Sequence, residues 1–172
     1  MLKISSKNLL IFLSLAASLA LILAYVAQYI FDYQPCILCF YQRKPFFAVI
    51  AFSLVGLVFS KSQKLQKIAV FLCAISLLIN CAIAFYHVGV EQKFFKGPST
   101  CSSENLEKIT NLEDLKNAFA KTKAIRCDEP SFVFLKLSMA AWNFIYCLFL
   151  FGCVLIMLIS ENSNKTRASQ DR

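Results

Sequence analysis

The sequence has few glycines, little charge and no internal repeats, and these absences remove whole classes of function. Only 16% of its 172 residues are charged, and it contains four glycines, all isolated from one another. Isolated glycines cannot form a glycine-rich phosphate-binding loop or a dinucleotide-binding fingerprint. The net charge of +8 comes from scattered lysines and arginines. Without a basic helix carrying interleaved aromatic residues, this charge argues against a nucleic-acid-binding surface.

Apolar residues are what the sequence has in excess. They make up 58% of the chain, too many for an ordinary soluble domain of this size. A membrane-spanning helix needs about 20 apolar residues, and four nearly uncharged stretches approach or exceed that length. Only the second stretch is slightly short, and to span the membrane it would need its flanking aromatic residues or a locally thinner bilayer. The stretches cover residues 9–31, 45–60, 68–90 and 137–160.

The first stretch follows Lys3 and Lys7 and could be taken for a cleaved signal peptide. Its apolar run is longer than the roughly 7–15 residues of a signal-peptide core, so we expect a retained helix. The sequence therefore predicts an all-α fold, a single integral membrane four-helix bundle over residues 1–172. Two loops, at about 32–44 and 91–136, are expected on one side of the membrane.

Lysine and arginine near the ends of the stretches predict their orientation, because these residues concentrate on the cytoplasmic side. The N-terminal segment, the loop after the second stretch and the C-terminal tail all carry an excess of them. The longer loop at 91–130 has seven basic residues balanced by seven acidic ones. Both termini are therefore expected in the cytoplasm and the long loop in the periplasm. The residues behind this prediction are Lys3, Lys7, Lys61, Lys64, Lys67, Lys165, Arg167 and Arg172.

The eight cysteines fall into two groups once the four stretches are drawn. One group lies inside the third and fourth stretches, where cysteine acts as a small apolar packing residue. The other lies in the two loops that face away from the cytoplasm, a compartment that permits disulfides. Four loop cysteines allow three pairings, and the residues alone do not choose among them. The packing group is Cys73, Cys81, Cys147 and Cys153, and the loop group is Cys36, Cys39, Cys101 and Cys127.

Cys36 and Cys39 form a C-x-x-C pair, which is typical of redox-active dithiols. Two other interpretations compete: a non-catalytic four-span scaffold whose loop disulfides are structural, and a zinc site. Zinc is disfavoured because Cys101 and Cys127 lie too far apart to supply a second C-x-x-C. Haem attachment would need a histidine after the second cysteine, where the chain has Phe40.

Arg43 lies four residues after Cys39, so that on a helix the two side chains project from one face. Pro35 is typical of a helix start, which would place the dithiol at a positive helix end. A cation and a helix N-terminus both favour the thiolate, which is the reactive form. Pro45 is expected to disturb the helix at this point. A role as an interfacial anchor suits Lys44 better than Arg43.

A dithiol that oxidises other proteins must pass its electrons to a stronger acceptor. With no dinucleotide fingerprint and no evident haem ligation, the acceptor that best suits a site at a membrane surface is a lipid-soluble quinone. Arg43 would then donate hydrogen bonds to a quinone oxygen as negative charge develops there. Ubiquinone and menaquinone are both compatible with the sequence.

These residues resemble a known family. "CILCFYQR" at 36–43 is similar to the C-x-L-C-x-x-[QE]-R signature of the DsbB family, bacterial inner-membrane thiol oxidases that use quinone. "YHVGVE" at 86–91 and "LSMAAWN" at 137–143 agree with the same family, as do the second cysteine pair and the four spans. The resemblance covers most of the chain.

The resemblance implies a relay among the loop cysteines. Cys101 would form a mixed disulfide with a periplasmic thioredoxin-fold oxidase similar to DsbA, and Cys127 would resolve it. Cys127 would then exchange with Cys36. Cys39 would contact the quinone as a thiolate.

The resemblance also implies a quinone site formed by Cys39, Arg43 and His87. Trp142 is expected in the aromatic belt of the membrane interface or in the wall of that site. Between the second pair of cysteines, residues 111–123 are expected to form a short amphipathic helix lying on the membrane, with Leu112 on its apolar face.

Overall fold

The computed structural model describes residues 5–59, 61–98, 127–130 and 132–170, with the backbone alone at 161–170. In these ranges the chain forms four helices, each long and apolar enough to cross a membrane. The predicted all-α four-helix membrane bundle is therefore confirmed. The predicted helix at 111–123 and Cys101 lie outside the described residues. The helices are α1 (Ser6–Tyr29), α2 (Ile37–Val58), α3 (Gln63–Glu91) and α4 (Met139–Gln170), of which Met139–Ser160 is the spanning part.

The helices form a bundle in which α3 packs against both α2 and α4, and α1 packs against α2. The centre is built of aliphatic side chains, cysteines and small residues, while large apolar side chains cover the outside of every helix. An apolar exterior of this kind suits contact with lipid, since lipid tails offer no polar partners. Fully buried members of the core include Leu10, Leu13, Val49, Leu77, Leu150 and Val154.

Helix α2 begins at Ile37, eight residues before the start of the predicted second span. The predicted loop at 32–44 is therefore mostly helical, and the disturbance expected at Pro45 does not end the helix, which continues to Val58. The apolar pattern missed this first part because Gln42 and Arg43 are polar, yet both are buried inside the bundle. A longer α2 places the whole C-x-x-C-x-x-x-R segment against the other helices.

Helix α4 begins at Met139, and the two residues before it, which the sequence assigned to the last span, form a strand. Strand β1 (Val133–Phe134) pairs antiparallel with strand β2 (Leu137–Ser138). Leu135 and Lys136 form the turn between them with φ values of 51° and 64°. Positive φ at both central residues is what a tight two-residue hairpin requires, so the turn overrides the apolar pattern here.

Gly56 marks the closest packing of α2 against its neighbours. A Cβ atom at this position would lie 2.7 Å from the Ala69 Cβ and 2.8 Å from the Leu10 Cδ1. Gly152 on α4 differs, because a Cβ added there would meet nothing within 4 Å. Small residues let membrane helices approach one another closely, and Gly56 has this role.

We expect Gly56→Ala to destabilise the bundle by about 1–3 kcal/mol, because overpacking forces neighbouring side chains or helices apart. Gly152→Ala is the matched control and should be neutral or slightly stabilising, since alanine is the better helix former by about 1 kcal/mol. Thermal unfolding of both variants in the same detergent would measure the difference. Equal midpoints would contradict the close contact at Gly56.

Candidate functional site

Cys36 is the N-cap residue of α2, and its sulfur takes the place of the usual capping oxygen. The backbone N–H of Cys39 donates to the Cys36 Sγ at 3.3 Å. Because a helix N-terminus carries partial positive charge, it stabilises an anion at this position. Pro35 lies just outside the helix, and the cap itself is the cysteine.

Two further groups surround the Cys36 sulfur. The Cys39 Sγ lies 3.0 Å away in a thiol–thiol hydrogen bond, and the His87 Nε2 lies 3.4 Å away. The hydrogen bond with Cys39, and then the contact with His87, lower the pKa of Cys36 from 9.0 to about 4, although burial opposes them. The lowered pKa favours the thiolate of Cys36. This is the form that exchanges with disulfides.

When Cys36 and Cys39 are both reduced, Cys36 is therefore the first to lose its proton. The resemblance to the DsbB family, in contrast, implies a thiolate at Cys39. The two statements concern different states of the site. While both thiols are free, Cys39 is the hydrogen-bond donor to the Cys36 anion. Once Cys36 is engaged in a disulfide with another cysteine, Cys39 is left as the sulfur that can carry charge.

Arg43 is buried, with 9% of its surface exposed, although it carries a full charge. Its guanidinium donates to the Gln28 Oε1 at 2.6 Å and to the Ala24 carbonyl oxygen at 3.4 Å, both on α1. It lies over the rings of Tyr25 and Phe40, at 4.9 and 5.2 Å from their centroids. A planar cation is well suited to such stacking.

Lys44, one residue further along α2, is exposed, with its ammonium 4.7 Å from the Tyr41 ring centroid. The contrast with buried Arg43 fits an interfacial anchor at Lys44 and an internal role for Arg43.

Behind the dithiol runs a chain of three buried or half-buried amides, which we call the amide chain: Gln42, Asn143 and Asn80. The Gln42 Nε2 lies 2.9 Å from the His87 Nδ1. The Asn143 Nδ2 donates to the Gln42 Oε1 at 2.9 Å and to the Asn80 Oδ1 at 3.4 Å. The amide chain therefore connects α2, α3 and α4 and ends at the histidine.

His87 also approaches Glu91, one turn further along α3, with 3.8 Å between the Nε2 and the Oε1. The other carboxylate oxygen of Glu91 accepts a hydrogen bond from the Ser138 hydroxyl. That hydroxyl in turn accepts from the backbone N–H of Ala141 at 3.1 Å, in the first turn of α4. Glu91 thereby ties the histidine to the start of α4.

The dithiol, Arg43 and His87 all line one cavity of about 340 Å³. Its volume lies in the range of small-molecule sites, about 300–1,000 Å³. Apolar side chains of α1 and α4 form much of its wall, and polar groups come from α2, α3 and α4 and from the segments at 33–35 and 127–130. Its walls include Leu19, Leu23, Ala24, Met139, Trp142 and Tyr146.

Cys36, Cys39 and His87 have their S and N atoms within 4.8 Å of one another, a spacing that could also hold a metal ion. The hydrogen bond between Gln42 and His87 favours thiol chemistry over metal binding. When Gln42 donates to the Nδ1, the proton of a neutral imidazole is on the Nε2, which then offers no lone pair toward the sulfurs.

Cys127 is buried beside Cys36 in a small apolar cluster with Leu38 and Val90. It is disulfide-bonded, whereas Cys36 and Cys39 are free thiols. Cys127, one member of the predicted second pair, therefore lies next to the first pair. The packing cysteines Cys73, Cys81 and Cys147 are buried in the bundle, as the sequence indicated, and Cys153 is half-buried.

Sequence reasoning missed the residues that support the dithiol. Gln42, Glu91 and Asn143 were part of the quoted motifs but received no role, and Gln28 and Asn80 were not considered. A signal was available, because Gln28, Asn80 and Asn143 are polar residues inside otherwise apolar spans. Such residues in membrane helices commonly face the bundle interior and mark functional sites.

Comparison with known proteins shows the family of the chain. Residues 6–157 match the family model described as disulfide bond formation protein DsbB. An uncharacterized protein of Rickettsia prowazekii (strain Madrid E) is 32% identical over 148 residues, covering 86% of this chain and 84% of its own length. Disulfide bond formation protein B of Cupriavidus necator is 29% identical over 140 residues, covering 77% of this chain and 80% of its own length. The chain is thus a multi-pass membrane protein of the DsbB family, the family of disulfide bond formation proteins.

Proposed function

We propose that this chain reoxidises a periplasmic thioredoxin-fold dithiol oxidase similar to DsbA and delivers the electrons to a membrane quinone. The observation that carries the proposal is the shared cavity, in which an activated dithiol and a buried arginine line one apolar chamber. A structural disulfide needs neither a depressed thiol pKa nor a cavity beside it. Membership of the DsbB family supports the same chemistry.

The electrons move in three exchanges that balance. The partner's dithiol loses two electrons and two protons and becomes a disulfide, while the Cys101–Cys127 disulfide becomes a dithiol. The Cys127 thiolate then attacks Cys36 of the Cys36–Cys39 disulfide and releases Cys39 as a thiolate. Cys101 attacks Cys127 in turn, which re-forms the Cys101–Cys127 disulfide and leaves Cys36 and Cys39 as a dithiol. Its two electrons and two protons leave for the acceptor, which restores the starting disulfide. The first two exchanges are attacks of a thiolate on a disulfide sulfur, and the third is a two-electron oxidation of the dithiol by the acceptor.

The residues of the cavity fit a quinone head group. The apolar walls suit the quinone ring. The guanidinium of Arg43 has five N–H groups and donates two hydrogen bonds to the described residues, to Gln28 and Ala24. A bound quinone would accept the two electrons and two protons and leave as hydroquinone. Arg43 would hold a quinone oxygen, and Cys39, one helical turn away, would face the same space.

The test supplies the purified full chain with a reduced thioredoxin-fold oxidase and a soluble quinone, and follows quinone absorbance. We expect absorbance to fall with continuous turnover, one quinone for each disulfide formed in the partner. A scaffold with structural disulfides would show no turnover, and that result would overturn the proposal. Comparing a ubiquinone with a menaquinone analogue in the same assay would show which of the two is used.

We also propose that the dithiol faces the periplasm and both termini the cytoplasm of a bacterial inner membrane. Exposed lysines at the two ends of α3 give a direct measurement. In a chain whose loop cysteines are replaced by serine, a membrane-impermeant maleimide should label Lys96→Cys in intact spheroplasts but not Lys61→Cys. Labelling of Lys61→Cys alone would reverse the orientation and remove the site from the periplasm.

A further inference from the structure

The amide chain of Gln42, Asn143 and Asn80 has a defined direction, which its hydrogen bonds reveal. Cys147 donates its S–H to the Asn143 Oδ1 at 3.6 Å. The Nδ2 of Asn143 is thereby turned toward Gln42 and donates to its Oε1. With its oxygen occupied, Gln42 presents its Nε2 to the His87 Nδ1. Each amide thus fixes the orientation of the next.

The far end of the chain shows that this direction has a cost. Asn80 is fully buried, its Oδ1 accepts from Asn143, and its Nδ2 has no hydrogen-bond partner among the described residues. A buried donor without a partner destabilises a protein. A buried polar group without a hydrogen-bond partner needs an explanation. Here Asn80 turns its oxygen toward the Asn143 amide, which needs an acceptor, and its own amide nitrogen is left without a partner.

We propose that the three residues of the amide chain are positioning residues that act on the single histidine of the sequence. They hold His87 in the tautomer with the proton on the Nε2, where it donates to the sulfur of Cys36. A donor at this position stabilises the thiolate without carrying a full charge into the bundle, since a neutral imidazole is sufficient. The consequence for turnover depends on the proposed function, but the tautomer itself does not.

Other charged or titratable groups line the same cavity as Cys36. They lie on α2, on α3 and in the segment at 127–130, so the test must separate the amide chain from them. These groups are Cys39 and Arg43 on α2, His87 and Glu91 on α3, and Glu129. Asn143→Leu replaces none of these side chains, so any effect on them must pass through the amide chain.

The test is nitrogen NMR of the chain labelled with ¹⁵N-histidine, in which the one histidine gives an unambiguous spectrum. In mildly alkaline buffer, where a free imidazole is neutral, the native chain should show a protonated Nε2 and an unprotonated Nδ1. Asn143→Leu removes the donor that orients Gln42, so the two nitrogens should move toward averaged shifts. A native spectrum with the proton on the Nδ1 would overturn the inference.

The second measurement is the pH titration of the Cys36 thiolate by its ultraviolet absorbance, taken as the difference from Cys36→Ser. Asn143→Leu should raise the proton affinity of Cys36 by roughly three- to tenfold, as expected for partial loss of one charge-assisted hydrogen bond. Ser53→Ala is the matched control, because it deletes a buried hydrogen bond between α2 and α3, from Ser53 to Cys73, that does not touch the amide chain. Equal titrations in the two variants would overturn the inference.

Gln42→Glu is a second variant for the same NMR measurement, to be used if Asn143→Leu does not fold. A carboxylate at position 42 can only accept, so the Nδ1 of His87 should carry a proton in this variant, whatever the charge of the ring. An Nδ1 that stays unprotonated would contradict the role given to Gln42. The two proposals can fail separately. If the native chain shows the expected NMR spectrum but no quinone turnover, the proposed function is rejected and the positioning of His87 by the amide chain still holds.

Discussion

Replacing Cys39 by serine is expected to reduce quinone turnover to the background rate, and Cys36→Ser should do the same. Without two sulfurs the first dithiol cannot form a disulfide, so two electrons cannot leave together. Serine is chosen because its hydroxyl can donate to a Cys36 thiolate from the position of the Cys39 sulfur, which lies 3.0 Å from the Cys36 sulfur. The loss of turnover in Cys39→Ser would then report the missing sulfur and leave the anion's environment largely unchanged.

Cys153→Ser provides the matched control for both cysteine variants. Cys153 is a half-buried cysteine of α4 that does not line the cavity. This variant should turn over like the native chain. Undiminished turnover in Cys36→Ser or Cys39→Ser would refute the relay, and equal loss in all three variants would point to general damage to the bundle.

Arg43→Lys is expected to raise the KM for quinone by roughly ten- to a hundredfold. Lysine keeps the charge but has no planar fork, so it cannot stack between Tyr25 and Phe40 while donating to Gln28 and to a quinone oxygen. Loss of one or two charge-assisted hydrogen bonds, at about 1.5–3 kcal/mol each, gives a change of this size or more. Thiol exchange between the partner and the second cysteine pair should stay intact.

The experiment compares quinone KM for Arg43→Lys and Arg43→Gln with that of Lys44→Gln. Lys44 is the neighbouring cation, exposed and stacked on Tyr41, so its replacement should leave KM unchanged. If the two Arg43 variants also keep the native KM, Arg43 only fastens α2 to α1. Thermal unfolding of the same variants separates that structural contribution, because the contacts with Gln28 and Ala24 join the two helices.

The sequence alone determined the fold class and the family of the protein. Span length is a local property that depends on unbroken apolar runs, so the four spanning helices were predictable, although the start of α2 was not. The spacing of Cys39 and Arg43 fixes their common face on any helix, and both line the cavity. The four packing cysteines were correctly placed inside the spans, whereas Cys39, which was predicted in a loop, lies in the first turn of α2.

Only the tertiary structure decided how the dithiol is activated. The contacts that matter join residues far apart in the chain: 51 positions separate Cys36 from His87, and 101 separate Gln42 from Asn143. Composition and periodicity carry no information about such pairs, because they describe the faces of single helices and not which faces meet. The position at which α2 starts was also not predictable from the sequence, because it depends on contacts with the other helices. Gln42 and Arg43 look like loop residues in a polar segment, but they are helical and buried because α1, α3 and α4 supply the partners that their polar groups need.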